Sequence, residues 1–527
     1  MTNTNFYITT PIYYPSNKLT LGNCYTTVLC DCIARFHRNL GHDVFFLTGT
    51  DEHGQKIAKI ALEKGVNEMD YLNEIIKDTK NLWKDLNISY DKFIRTTDSE
   101  HEKTVSKIFD ILYQKGEIYK STYQGKYCIP CESFWSEEQL IDGKCPDCGR
   151  EVVEANEDCY FFKLSKYEDA LRNLYTTNPN FLVPASRVNE MLNNFLNQGL
   201  KDLCVSRKTV KWGIPVSFDN EQTIYVWIDA LSNYLSALGY LSEDDSKFKK
   251  YWPADVHVVG KEIVRFHAII WPAILMALDL PLPKQIFGHG WLTFDNGKLS
   301  KSKKTEKKEV IDPRVLMSRY KSDSVRNFLI GEISFGQDGP YTQEGFLNSY
   351  NGILANKVGN LFSRLTGMVI KYNDGLIQYA NVEQASDALL KDNVKLLKEQ
   401  CIDYMLNLKP TLAYKSALKI IDECNQYVDN DKPWELFKDS TNKERVNTVL
   451  YNALQTMLEA YTLLNAFLPE STATILNKFG IDKVEINKDS IFDFEINNKK
   501  LEKSEPLFVR LDIAKEMSEL QEIANNN

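Results

Sequence analysis

Two pairs of cysteines carry the plainest chemical signal in the chain, Cys128-Ile-Pro-Cys131 and Cys145-Pro-Asp-Cys148. Two CxxC turns about one hairpin apart set four thiolates around a single ion in tetrahedral coordination, the arrangement that zinc favours. Proline inside each pair, and Gly149 just after the second, suit tight metal-binding turns. Four protein ligands leave no open position, so the expected centre is structural rather than catalytic. The alternative is four ordinary thiols. A second group suits an anion. The loop KLTLGNCY, residues 18–25, precedes a helical pattern, and unpaired N–H groups and the helix dipole favour a phosphate there. Thr50-Asp51-Glu52-His53-Gly54 forms a second polar cluster after the next apolar run. A third, Lys298-Leu299-Ser300-Lys301-Ser302, runs into further lysines and by itself reads as a solvated basic loop. The chain contains neither GxGxxG nor GxxxxGK[ST], so neither common phosphate loop is present.

These residues need a frame to hold them. Phe6-Tyr7-Ile8-Thr9-Thr10 reads as a buried strand, with Pro11 and Pro15 expected to break it and Gly22 to let the backbone approach a ligand. Val28, Cys32 and Phe36 recur every four residues, with Leu29, Ile33 and Leu40 beside them, and Gly41 is a C-terminal stop. Residues 43–47 form a second strand, completing a parallel βαβ unit whose ligand crevice lies beyond the strands' C-terminal ends. Asp98-Ser99-Glu100-His101 is a helix entry, and His101 reads as a surface or supporting residue. Helices are expected around 167–175 and 190–199, and Trp212-Gly213-Ile214-Pro215 marks a return to the main domain. Residues 225–230, YVWIDA, read as a strand running into a helix, its aromatic end either lining a pocket or simply buried. From about Tyr350 the pattern turns helical, with Ala417, Ile421, Cys424 and Val428 on one buried face; residues 499–527 read as charged and helical.

A chain of 527 residues, 43% hydrophobic and 12% aromatic, can bury several cores. A net charge of −9 excludes a generally basic, nucleic-acid-coating protein but leaves room for a local basic patch. MTNTNFYITT lacks the basic start and long apolar run of a signal peptide, and the run 268–278 is too short for a membrane span. Four paired and seven scattered cysteines suit a reducing compartment, so a cytoplasmic location is expected.

PIYYPSNKLTLGNCY followed by LTGTDEHGQKI resembles the nucleotide-binding half of the methionyl-tRNA synthetases, class I aminoacyl-tRNA synthetases, and the resemblance covers nearly the whole chain. It implies an α/β fold: a parallel-sheet, Rossmann-like nucleotide-binding domain in two halves, 1–117 and 221–349. A zinc-knuckle insertion, 118–220, would interrupt it, and an all-α anticodon-binding domain, 350–527, would follow. Thr20-Leu21-Gly22-Asn23 stands where the family has His-Ile-Gly-His; Asn23 is a known kind of variant, whereas Thr20 is a departure. The KLSKS run resembles the second family motif, Lys-Met-Ser-Lys-Ser. The resemblance implies catalytic roles for Lys301, then Lys298, with Thr20 and Asn23. It implies ATP binding by Tyr14, Gly22, Gly260, Glu262, Lys298, Ser300 and Lys301. A methionine pocket would be formed by Ile12, Tyr14, Trp227, Ala230, Tyr234, Ile263, Phe266 and His267, with Leu231 where some members have proline and Asp51 pairing with the substrate ammonium. Asn360, Arg364, Pro433 and Trp434 match the anticodon reader. The implied partners are ATP with magnesium, methionine and tRNA(Met) with a CAU anticodon. A structural zinc is implied at the cysteines, and a monomer is expected, since no dimer-forming domain follows the helical one. Two rival readings compete: a relative that loads methionine onto a non-tRNA acceptor, and a catalytically silent tRNA-binding protein that Thr20 would allow.

Overall fold

The computed structural model describes residues 4–526 apart from 129–132, 136, 138–139, 147, 295–296, 299–309, 311 and 335. β1 (Asn5–Tyr13), α1 (Leu21–Asn39) and β2 (Asp43–Thr50) form a parallel βαβ unit. Pro11 does not end β1. The register against β2 shifts between Thr9 and Ile12 instead, the irregularity expected where a residue lacks an N–H to donate. On α1 Val28, Cys32 and Phe36 are fully buried. Gly41 follows with φ 83°, and its N–H donates to the Arg38 carbonyl at 2.9 Å, a left-handed stop that glycine adopts without strain.

After β2 come α2 (Gln55–Lys64), α3 (Glu68–Asp85), β3 (Lys92–Arg95) and α4 (Ser99–Gln114). The main sheet runs β3, β2, β1, then the strands Val256–Gly260, Ile286–His289 and Leu182–Val183, all parallel. The chain steps outward from β1 to β3 and later returns on the other side of β1. The topological switch point therefore lies between β1 and Val256–Gly260, where open α/β sheets bind ligands. Leu182–Val183 lies inside the stretch expected to be insertion, yet it pairs with Ile286 and Phe287. Phe181, Leu182 and Leu171 are buried in the core that covers one face of the main sheet, so burial draws this segment back to the sheet before the insertion is complete.

The inserted part is a four-stranded antiparallel sheet ordered Ser133–Trp135, Ile118–Cys128, Val153–Phe162 and Leu203–Cys204. The YVWIDA segment is helical from Val226 to Leu231, with the strand earlier, at Asp219–Ile224. From Gln343 to Lys478 the elements of the described chain are helices joined by irregular segments, and Ala417, Ile421, Cys424 and Val428 are fully buried on the helix Pro410–Asp431. Asp429 to Asp431 are the last residues of that helix, and Lys432 caps it in the left-handed region at φ 46°. At the end only Ile513–Asn526 is helical, because Leu507 and Phe508 pack as irregular chain against the core shared with α1. Among the described residues no helix is long and apolar enough to cross a membrane.

Candidate active site

At the switch point lies a cavity of about 300 Å³. Ile12 and Tyr14 come from the end of β1, Asp51 from the end of β2, Trp227, Ala230, Leu231 and Tyr234 from the helical segment 226–236, and Ile263 and His267 from the turns after Val256–Gly260. Phe266 stands behind the wall rather than on it. Its ring stacks on Trp227 at 3.4 Å between centroids and 12° between planes. Phe266 and His267 belong to a π-helical turn, Phe266–Ile270, whose extra residue per turn is a frequent feature of functional sites. The Tyr234 hydroxyl donates to His267 Nε2 at 2.8 Å, and His267 Nδ1 donates to the Ile263 carbonyl at 2.9 Å. That tautomer requires a neutral ring, and burial, against the pull of the Ile263 carbonyl, pushes the pKa of His267 down to about 4.

Asp51 is 9% exposed, and its N–H donates to the Tyr13 carbonyl at 3.0 Å. The loop that carries it is fixed by its neighbours. Glu52 is fully buried, pairs with Arg95 at 2.9 Å and accepts from Thr97 Oγ1 at 2.7 Å, while its N–H donates to Thr96 Oγ1 at 2.8 Å. Trp212 Nε1 donates to the Glu52 carbonyl at 2.7 Å, so the WGIP segment clamps the same loop. His53 Nδ1 meets Asp229 Oδ2 at 2.7 Å, and the other oxygen, Oδ1, meets His101 Nε2 at 2.8 Å; His101 Nδ1 in turn meets Ser236 Oγ at 2.7 Å. Burial opposes a charge on His53, but the Asp229 carboxylate outweighs it and raises its pKa to about 10; burial likewise opposes the Asp229 charge, and His53 brings that carboxyl down to about 2. His101, read from sequence as a surface or supporting residue, is buried and supporting.

Thr20 is the N-cap of α1. Its N–H donates to Asn23 Oδ1 at 3.0 Å and its hydroxyl to the same oxygen at 3.3 Å, while the Asn23 N–H donates back to the Thr20 carbonyl at 3.0 Å. Gly22 is exposed in the first turn. Gly260 ends its strand, and Glu262 Oε2 accepts from Trp291 Nε1 at 2.5 Å. Lys261 Nζ lies 4.0 Å from the Trp291 ring centroid and 2.6 Å from Asp338 Oδ2. A side chain at Gly290 would run into the backbone of Gln337 at 2.3 Å, so only glycine admits this crossing. Lys298 ends the short strand Gly297–Lys298, which pairs with Leu292–Phe294; Ser300 and Lys301 lie outside the described residues.

At the cysteines, Cys128 Sγ and Cys148 Sγ are 3.6 Å apart, and with Cys145 the three sulfurs lie within 4.8 Å of one another. Tetrahedral zinc with Zn–S of about 2.3 Å needs sulfurs about 3.8 Å apart, so the cluster fits a metal of that kind. Cys131 lies outside the described residues. Far along the chain, Asn360 is exposed and Arg364 half-buried in the first turns of the helix Asn360–Asn373. The Arg364 guanidinium lies 5.4 Å from the Trp434 ring centroid and donates to Asn425 Oδ1 at 3.2 Å; buried Pro433 opens the helix that carries Trp434.

Sequence reasoning gave no individual role to Lys56, Glu52, His53 or Asp229. Lys56 lines the cavity with its ammonium 5.3 Å from the Tyr14 ring centroid. The run TDEHG held the signal for three of these residues' neighbourhood, a dense polar cluster directly after a buried strand. Nothing local marked Asp229, which meets His53 across 176 residues of sequence.

This parallel sheet and the helical region that follows match the fold of the class I aminoacyl-tRNA synthetases. A family model described as tRNA synthetases class I (M) matches residues 6–157 and 151–366. The methionine–tRNA ligase of Clostridium acetobutylicum is 51% identical over 518 residues, 98% of this chain and 80% of that protein; the Bacillus subtilis enzyme of the same description is 44% identical over 530 residues, 98% and 79%. The crystal structure of Mycobacterium tuberculosis methionyl-tRNA synthetase bound by methionyl-adenylate superposes with a TM-score of 0.90 at 34% identity, covering 96% of this chain and all of that one. The chain belongs to the methionine–tRNA ligase family.

Proposed function

We propose that this chain activates methionine with ATP as methionyl-adenylate and transfers the methionyl group to the 3′ end of tRNA(Met). The observation that carries the reading is the switch-point cavity, walled by aromatic and aliphatic side chains with the Asp51 carboxylate among them. A flexible thioether gains dispersion and sulfur–aromatic contacts from Trp227, Tyr234 and Ile12, and the neutral His267 fixes the Tyr234 hydroxyl. Asp51 pairs with the substrate ammonium, which loses water on entry. A methionine carboxylate oxygen attacks the α-phosphorus of ATP, the bond to the bridging oxygen breaks, and pyrophosphate leaves. Lys301 first and Lys298 second neutralise the charge that builds on the leaving group. Thr20, Gly22 and Asn23, at the N-terminus of α1, receive the phosphates, and Tyr14, Gly260 and Glu262 face the nucleotide. Positioning and charge stabilisation do the work, and no general base is assigned. In the second step a 3′-terminal hydroxyl of the tRNA attacks the activated carbonyl and AMP leaves.

Magnesium accompanies ATP. Zinc, held by Cys128, Cys131, Cys145 and Cys148, is structural and supplies rigidity to the insertion. Trp434 stacks a base of the CAU anticodon while Asn360 and Arg364 reach base edges. Every residue invoked comes from one chain, so the proposal requires no partner subunit. Domains of 1–117 with 221–349, 118–220 and 350–527 divide these tasks, with Leu182–Val183 returned to the nucleotide-binding sheet.

The test is methionine-dependent ATP–pyrophosphate exchange, followed by charging of tRNA with a CAU anticodon. Exchange with charging supports the reading. Exchange without charging points to another acceptor, and tRNA binding without exchange makes the protein a silent binder.

A further inference from the structure

The cysteine cluster and the amino-acid cavity are joined by a column of stacked side chains. Trp135, on the strand Ser133–Trp135, is 7% exposed and packs with Cys128 and Cys145 in a small apolar cluster of their own. The Arg265 guanidinium lies 4.9 Å from the Trp135 ring centroid, 4.5 Å from that of Phe266 and 5.8 Å from that of Phe195. Phe266 stacks on Trp227, and Trp227 forms a wall of the cavity. Cysteine cluster, tryptophan, guanidinium, phenyl ring and indole thus follow one another through packed contacts.

We infer that Arg265 is a positioning residue through which the metal-bound state of the cysteine knuckle sets the shape of the amino-acid cavity. This inference rests on the methionine reading given above. A planar guanidinium is suited to the place because it packs against several aromatic rings at once more readily than a compact ammonium. With the metal bound, the knuckle holds Trp135, Trp135 holds the guanidinium, and the guanidinium holds Phe266 flat against Trp227. Releasing the metal frees Cys128 and Cys145 to rearrange. Trp135 then loses its support, and the back of the Trp227 wall loosens although no cysteine touches the cavity.

The experiment uses the full chain, zinc-loaded and after chelator treatment, as native protein and as Arg265→Met, which keeps an unbranched apolar stem while removing the guanidinium. Methionine affinity is read by calorimetry, alongside the KM values for methionine and ATP in exchange. In the loaded protein Arg265→Met should weaken methionine binding roughly fivefold, the loss of its cation–π contacts, with the KM for ATP within about twofold. Stripping zinc from the native chain should weaken methionine by a similar factor, and stripping the variant should add less than about twofold, because the column is already broken. Trp135→Leu enters the column from the other end and should reproduce the result, while Trp135→Phe, which keeps an aromatic face, should restore most of the affinity. If Arg265→Met fails to fold, Trp135→Leu carries the comparison. Effects of zinc removal and Arg265→Met that multiply as independent factors overturn the coupling, as does a variant within twofold of native. A native, zinc-loaded chain that binds no methionine overturns the methionine reading and this inference with it.

Discussion

At the scale of single residues the site depends on where two polar groups stand. Asp51 is a nearly buried carboxylate on the wall of an otherwise apolar cavity, with the Lys56 ammonium near the same entrance. Asp51→Asn keeps the shape and removes the charge. A charge-assisted hydrogen bond contributes about 1.5–3 kcal/mol, so the methionine KM in pyrophosphate exchange should rise by roughly ten- to a hundredfold while the KM for ATP changes little. Thr20 stands where an imidazole would offer phosphates a longer-reaching donor. Its hydroxyl and N–H are already spent on Asn23, so its contribution to ATP is that of a helix cap and a short donor. Thr20→His should retain exchange at or above the native rate. A fall of about a hundredfold or more, the low end of what one lost oxyanion donor costs, would show a site fitted to threonine.

At the scale of elements, Asp229 ties the loop after β2, which carries Asp51, to the helix Val226–Leu231, which carries Trp227, and to α4. The His53 charge that completes this tie has a raised pKa. Its stabilisation is therefore fully present below the ordinary histidine value of about 6.5 and is lost as the pH climbs through about 10. Asp229→Asn should accordingly lower the melting temperature most near pH 5 to 6, and the gap from native should shrink towards pH 10. A gap independent of pH would exclude a charged pair. In the helical region, the Arg364 guanidinium over Trp434 places a cation and an aromatic face side by side on two helices. Base stacking is worth about 1–3 kcal/mol, so Trp434→Ala should cut charging of the CAU tRNA by roughly five- to a hundredfold and leave methionine-dependent exchange near native. A loss of exchange as well would make Trp434 a packing residue.

At the scale of the molecule, the nucleotide-binding sheet and the terminal helices are locked by Arg326. It is fully buried, pairs with Asp31 of α1 at 2.7 Å and donates to the carbonyls of Phe467 and Ala466 at 2.8 and 3.1 Å. Burial opposes the Asp31 charge, but Arg35 and Arg326 bring its carboxyl to about 2. Breaking one partner of a buried pair leaves the other uncompensated and costs about 3–5 kcal/mol. Arg326→Met should therefore lower the unfolding free energy read from a denaturant titration by that amount, against a native chain whose share from Asp31 persists above the ordinary value of about 4 and fades only as the pH falls towards 2. A loss under about 1 kcal/mol would mean that the helices are held by apolar packing alone.

Local chemistry was legible in the sequence. A strand, a helix with apolar residues every four, a glycine stop and a second strand gave the βαβ unit, because each of these preferences acts within a few residues. Paired CxxC spacing marked Cys128, Cys145 and Cys148, whose sulfurs share a cluster, since a short turn leaves thiols little freedom to part. The resemblance supplied Ile12, Tyr14, Trp227 and the other wall residues, and the fold sets all but Phe266 on one cavity. The tertiary structure alone decided which distant partners meet. Asp229 finds His53 and His101 across 176 and 128 residues, Arg265 finds Trp135, and Leu182–Val183 rejoins the sheet from within the insertion. None of these has a local signal. A buried charge takes whichever opposite charge the packed elements bring within about 3 Å, and a short apolar strand joins whichever edge hides it from water. Both outcomes depend on long-range burial rather than on neighbours in the chain.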